Sequence, residues 1–309
     1  MIITMTTNPS IDYYADMAQL PVIGQINRTG DAHMIPGGKG VNVAIVLNRL
    51  GVAATAMGFA AGKTGTMFQS LLSEEGCPSD FLMLDEGETR INVKLGYEGG
   101  ETAFNGAGPD IPPAACRQLL SRLENLTRGD YLILSGNLQK SIPDFYSQVA
   151  ASAMGRGARV IIDTAGPALK RALELQPFLI KPNLDEFNEL TGTKTETPEQ
   201  AVKNARPIIE AGAENVMISM GDQGAVLVCR DGRAYKARSQ QIGKVYSTVG
   251  AGDCAVAGFI HAYIRSRHPG EALRSAVAAG TASVHERGLA TQDGYLTCLQ
   301  RTELSILGE

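Results

Sequence analysis

Apolar residues fall into two textures along this chain. In the first, short runs rich in strand formers are apolar on both faces: "IITMTT" (2–7), "YLILSG" (131–136), "RVIIDT" (159–164), "FLIKPN" (178–183) and "NVMISMG" (215–221). Between the runs lie stretches with helical periodicity, which predict helices over 39–50, 64–75, 112–127, 141–154, 184–191, 198–212, 253–267 and 270–287. Strands apolar on both sides belong to parallel sheets covered by helices on both faces, so the pattern predicts a βαβ-type α/β fold. The last two helices follow one another without an intervening strand.

The second texture is strict alternation. In "TRINVKLGY" (89–97), Ile91, Val93, Leu95 and Tyr97 share one face and Arg90, Asn92 and Lys94 the other. "EGGE" and "TAFNG" follow, which predicts a hairpin with one polar, partly basic face. Residues 11–35 also read as extended. Together with 89–106 they predict a small sheet outside the main one, whose apolar side a second copy of the chain would cover.

Composition narrows the function classes. With 309 residues, 44% hydrophobic and 19% charged, the chain can fill a large core. A net charge of −4 gives no basic footprint for nucleic acid or an anionic membrane, so an anionic ligand must be held by local groups. The start "MIITMTTNPS" has neither a basic leader nor an apolar core, and no 18-residue apolar run occurs, which predicts a cytoplasmic protein. Five scattered cysteines without a C-x-x-C, and four histidines without ligand spacing, predict reduced thiols and no His/Cys metal centre.

In open α/β sheets, ligands bind beyond the carboxyl ends of the strands. Here those ends carry Asn8 and Asp12, then Ser135-Gly136-Asn137, Asp163, Lys181 with Asn183, and Ser219 with Gly221. "PGGKGVNVA" (36–44) brings Gly38 and Lys39 to a helix start with Asn42 on its first turn, a setting for an anion or for a plain tight turn. "GFAAGKTGT" (58–66) leaves three residues between its first two glycines where a P-loop needs four, and reads as a strand-to-helix turn. "NLDE" (183–186) is a capping box, or places Glu186 to hold a magnesium ion. "SMGDQG" (219–224) suits a hairpin turn, or backbone and hydroxyl donors for phosphate.

"STVGAGD" (247–253) runs Gly250, Ala251 and Gly252 into an apolar helix with Asp253 at its start. Exposed N–H groups and the helix dipole suit negative charge on a group in transfer. Asp253 is either a helix-stabilising acid or a general base for a hydroxyl attacking a phosphoryl group. "GAGDCA" also fits a dinucleotide fingerprint, although a helix follows it where that motif needs a second strand.

The set "NPSID" (8–12), "GGKGVN" (37–42), "GETRINVK" (87–94), "KPNLDE" (181–186), "SMGDQG" and "STVGAGD" resembles the PfkB (ribokinase-like) carbohydrate kinases over essentially the whole chain. Its first three motifs resemble the branch acting on phosphorylated ketohexoses. The resemblance implies one kinase domain over 1–309, a three-layer α/β/α fold with a mostly parallel sheet and a small β lid that often pairs in a homodimer. It implies ATP as donor, Mg2+ as cofactor and a sugar phosphate as acceptor. Fructose 1-phosphate is the expected acceptor, with tagatose 6-phosphate or fructose 6-phosphate as the alternatives. A sensor without catalysis would have no need of Asp253. Position by position, Asp253 matches the base and Gly250, Ala251 and Gly252 the anion hole. Asn183, Ser219, Gly221 and Gly224 match the nucleotide site, and Glu186 the magnesium motif. Asp12, Gly38 and Asn42 match residues on sugar hydroxyls, and Lys39 and Arg90 those on the sugar's phosphate. The chain reads "SGNLQ" (135–139) where many relatives read "SGSLP", so Asn137 and Gln139 alter a turn near the sugar; Cys254 stands where Ser or Ala is more usual.

Overall fold

The computed structural model describes residues 1–98, 100–240 and 242–307. Its strands are β1 (Ile2–Thr6), β2 (Ser10–Asp16), β3 (Ala32–Gly37), β4 (Thr55–Ala61), β5 (Ser79–Leu84), β6 (Arg90–Tyr97), β7 (Gly100–Asn105), β8 (Tyr131–Ser135), β9 (Arg159–Asp163), β10 (Leu179–Ile180), β11 (Asn215–Ser219), β12 (Ala225–Cys229), β13 (Ala234–Ser239) and β14 (Thr302–Leu307). Its helices are α1 (Lys39–Arg49), α2 (Gly62–Glu74), α3 (Pro113–Ser121), α4 (Phe145–Gly155), α5 (Gly166–Leu173), α6 (Leu184–Thr191), α7 (Pro198–Glu210), α8 (Ala251–Ser266), α9 (Pro269–Val284) and α10 (Gln292–Leu299).

The large sheet has the order β14-β13-β12-β11-β10-β9-β8-β1-β4-β5. From β11 to β5 neighbours run parallel, and β12, β13 and β14 extend the sheet antiparallel. Alternate residues of each strand feed two cores, as a two-residue period requires. Ile133, Ile161 and Leu179 pack with α1, α8 and α9, whereas Leu134, Ile162 and Ile180 pack with α4 and α7 on the other face. Burying both faces is what made these strands read as continuous apolar runs. Gly258 brings α8 against α9: a Cβ there would lie 2.5 Å from the Ser275 carbonyl oxygen.

Several boundaries differ from the sequence reading for local reasons. The helix expected over 112–127 stops at Ser121, because the Asp130 carboxylate takes the Thr127 N–H and hydroxyl at 2.8 and 3.0 Å in a competing turn. β10 is cut short by Pro182, which has no N–H to give the ladder. Helix α8 begins at Ala251 with Gly250 as its cap (φ 84°), so Ala251 and Gly252 lie inside the first turn instead of before it.

The small sheet has the order β3-β2-β6-β7, with β2 and β6 parallel. It exceeds the expected bounds slightly, from Ser10 and to Gly37. Residues 17–31 form no strand, contrary to the extended reading of 11–35. The "EGGE" turn includes residue 99, which lies outside the described residues. The polar face of this sheet is buried, with Asp12, Asn92 and Lys94 all under 9% exposed, while Ile91, Met34 and Phe104 on the apolar face are 42%, 38% and 59% exposed.

Candidate active site

The carboxyl ends of β1, β8, β9, β10 and β11, the starts of α1 and α8, and the polar face of the lid converge on one edge. Asp253 sits in the first turn of α8 and is buried. Asn42, on the first turn of α1, donates its side-chain N–H to Asp253 Oδ2 at 2.7 Å. Asp163, closing β9, has Lys181 Nζ 3.2 Å and Lys39 Nζ 3.8 Å from its Oδ1. A Cβ at Gly252 would lie 3.0 Å from Lys181 Nζ, so glycine there lets the ammonium rest against the start of α8.

Burial first, and the Asp163 charge second, push the Asp253 carboxyl up to about 7, against the opposing pull of Asn42, Lys39 and Lys181. Lys39 is shifted upward, chiefly by Asp163, with Asp253 and Glu186 adding to it against burial. The Asp253 carboxyl is therefore held well above the usual carboxylate range, because it is buried beside a second acid.

On the lid, Asp12 Oδ1 accepts from the Ser10 hydroxyl at 2.7 Å and from Asn92 at 2.8 Å, and Lys94 donates to Oδ2 at 2.8 Å and to the Tyr14 hydroxyl at 2.7 Å. Gly37 passes so close that a Cβ would lie 2.6 Å from Asp12 Oδ1, which joins the lid to the Gly38 cap of α1. Arg90 is half-buried, and burial lowers its pKa against the pull of Asp12.

On the far side, Asn183 and Ser219 pair in a parallel bridge. The capping box is complete: Asn183 Oδ1 accepts from the Glu186 N–H at 2.8 Å, and Glu186 Oε2 from the Asn183 N–H at 2.9 Å. Gly221 and Gly224 close the β11–β12 hairpin, where the Met220 N–H donates to the Gly224 carbonyl at 2.8 Å. Asn137 is exposed and makes no side-chain hydrogen bond among the described residues. Gln139 turns inward and donates to the Thr7 carbonyl at 2.8 Å. Cys254 is buried with its thiol pushed up to about 12 by burial, so it is inert beside the acid.

Among the described residues, Arg90 Nε, Asn92 Oδ1, Ser135 Oγ, Gln139 Oε1 and Asp163 Oδ2 are buried without a protein partner, and all lie at this edge. Buried polar atoms need partners, so this edge offers free polar groups to a ligand or to water. The sequence had placed Asp163 and Lys181 at strand ends without a role, and Lys94 only on a polar face. For Asp163 and Lys181 the signal was charge at the ends of apolar runs, and for Lys94 its place on the polar face of an alternating strand.

A helix-covered α/β sheet with a near-neutral acid and flanking lysines at a helix start defines a site for a polar, anionic small molecule. The chain belongs to the pfkB family of carbohydrate kinases, whose profile matches residues 5–293, and it is thus a phosphotransferase of ribokinase-like fold. It is 39% identical to a 1-phosphofructokinase of Bacillus subtilis over 95% of each chain. It is 34% identical to a D-tagatose-1-phosphate kinase of Bacillus licheniformis over 94% of each. The phosphofructokinase-2 of Escherichia coli in complex with fructose-6-phosphate superposes with a TM-score of 0.90 at 29% identity, covering 97% of this chain and 98% of that one. Among the described residues no helix is long and apolar enough to cross a membrane.

Proposed function

We propose that the protein transfers the γ-phosphoryl group of ATP to the 6-hydroxyl of fructose 1-phosphate, giving fructose 1,6-bisphosphate and ADP. The observation that carries this reading is the Asp253 carboxyl: buried, oriented by Asn42 and held near pH 7 at the start of a helix. A base is most useful when its pKa lies near the working pH. Asp253 takes the hydroxyl proton as the oxygen attacks phosphorus in line. The N–H groups around Gly250, Ala251 and Gly252, with Lys181 beside them, meet the charge that develops on the transferring group.

Asp12, Gly38 and Asn42 hold sugar hydroxyls, and Asn137 lies in the turn near them. Two carboxylate oxygens offer about four acceptor positions. Asp12 spends three of these on Ser10, Asn92 and Lys94, which leaves one on Oδ2 for a substrate hydroxyl. Lys39 and Arg90 grip the phosphate already on the sugar, and the free Arg90 Nε fits that task. Asn183, Ser219, Gly221 and Gly224 lie along the ATP phosphates.

Among the described residues no group of three or more His, Cys, Asp or Glu could hold a metal ion by itself. Mg2+ in kinases needs only one or two carboxylates plus the phosphates, so the residues present fit it. Glu186 would hold the ion through the oxygen its capping bond leaves over, where Mg2+ supplies neutralisation of phosphate charge. The exposed Ile91, Met34 and Phe104 support a homodimer through the lid, and five free, buried cysteines support a reducing, cytoplasmic setting.

ADP release with fructose 1-phosphate, fructose 6-phosphate, the 1- and 6-phosphates of tagatose, and free fructose tests the assignment. Fructose 1-phosphate is expected to give the highest kcat/KM and free fructose the lowest. Preference for a tagatose phosphate moves the acceptor to that sugar; turnover of no phosphosugar at all removes the reading.

A further inference from the structure

At the opposite edge of the large sheet, where the parallel strands begin, a cavity rimmed by arginines opens. It has a volume of about 550 Å³ and is bounded by Arg128, Arg159, Arg267, Gln176, Phe178 and Glu214. A neighbouring hollow of about 520 Å³ shares Gly129 and Arg267 with it and adds Arg265. Both sizes are those of small-molecule sites.

The arginines are held by aromatic rings. The Arg159 guanidinium lies over Tyr131, Phe178 and Tyr263 at 5.8, 5.2 and 5.8 Å. That of Arg267 lies over Tyr131 and Tyr263 at 6.0 and 5.8 Å. Both donate to one acceptor, the Tyr131 hydroxyl, Arg159 at 3.0 Å. Two guanidinium groups therefore share a single hydroxyl oxygen. Among the described residues no salt bridge reaches Arg128, Arg159 or Arg267; Glu214, on the wall, stays beyond that range. Of about five N–H donors on each guanidinium, one goes to Tyr131, and among the described residues no other side-chain hydrogen bond uses the rest. In a chain of net charge −4, this is a local concentration of positive charge with its donors unspent.

We propose that this cavity binds a phosphorylated small molecule, with a phosphate bridging Arg159 and Arg267 and Arg128 closing on it from the rim. Arginine suits the task because its planar fork matches phosphate oxygens in pairs. The site is separate from the catalytic edge: β9 carries Arg159 at one end and Asp163 at the other, about 13 Å apart at strand rise. Helix α8 likewise runs from Asp253 in its first turn to the Arg267 cap. An anion held by both arginines thus ties together the two elements whose far ends carry Asp163 and Asp253. ATP or ADP and a sugar bisphosphate share the required chemistry.

Isothermal titration of the full chain with inorganic pyrophosphate, ATP and fructose 1,6-bisphosphate, beside the double variant Arg128→Gln/Arg267→Gly, tests the proposal. Position 267 has φ 56°, a backbone that glycine adopts freely, so this change removes charge without adding strain. Wild type is expected to bind one more equivalent of pyrophosphate than the variant, or to bind it about tenfold more tightly at that site, with kcat the same in both. The same extra equivalent with ATP, or with fructose 1,6-bisphosphate, tells which source fills the cavity. Equal stoichiometry and affinity in the two proteins for all three anions overturn the proposal. A readout independent of variant folding is phenylglyoxal labelling of wild type, mapped by mass spectrometry: pyrophosphate should slow modification of Arg128 and Arg267, and unchanged labelling overturns the site.

Discussion

Replacing Asp253 by Asn should stabilise the protein while disabling it, and the size of the gain follows from burial. The carboxyl rises from 3.8 to about 7 on folding. Between those values the folded chain keeps a proton that the unfolded chain has lost, so this group's contribution falls as pH rises through the window and levels off above about 7. A shift of roughly three pH units corresponds to about 4 kcal/mol of cost for the ionised carboxylate at alkaline pH. Asn is neutral at every pH, keeps the shape, and can still accept from Asn42. Between pH 5 and pH 8 wild type should therefore lose about 2–3 kcal/mol relative to Asp253→Asn, or about 5 °C in Tm for a chain of this size. Scanning calorimetry of both proteins at the two pH values reads the difference directly, and groups common to both cancel. A Tm gap that is the same at pH 5 and pH 8 would refute the claim that Asp253 is held near neutrality.

Three further outcomes follow. Asp163→Asn removes the neighbouring negative charge that helps raise Asp253, so the acid limb of the kcat/KM profile should move to lower pH; a limb that stays in place contradicts the coupling. Gly258→Ala drives a methyl group into the Ser275 carbonyl where α8 meets α9, and should cost about 1–3 kcal/mol in a denaturant titration, against no change if the helices can separate freely. Ile91→Asp places a charge on the exposed apolar side of the lid and should yield monomers in analytical ultracentrifugation; a wild-type sedimentation profile with a dimer intact would remove the lid as the interface.

The parts of the fold that carry a strong period were legible in the sequence. β1, β8, β9 and β11 were read because branched and long aliphatic residues run through them without a break, and the lid strand β6 because it alternates. β4, "TAMGFAA", was read only as the lead into a turn, since small residues give a weak strand signal and its place beside β1 is fixed by tertiary packing. The short helices α5 and α10 and the last strand, β14, passed unread; "TELSIL" is half exposed and is held by its partner β13. At the candidate site, the glycines and Asp253 were visible because Gly-x-Gly before an apolar helix is costly unless backbone must approach something. The Asp163–Lys181–Lys39 group was not, because these residues lie far apart in the chain and meet only where three elements converge. The sense of the lid was also hidden: alternation shows that two faces differ, and only the structure shows that the polar one is buried.

In the proposed reaction Asp253 removes the proton from the acceptor hydroxyl. The most direct test of this step is the rate of ADP formation from ATP and fructose 1-phosphate for Asp253→Asn and wild type, with ATP affinity measured in parallel. With Asp253 as the base, kcat should fall by about 10²–10⁴ while ATP binding is retained. Turnover at the wild-type rate in the variant would contradict that role.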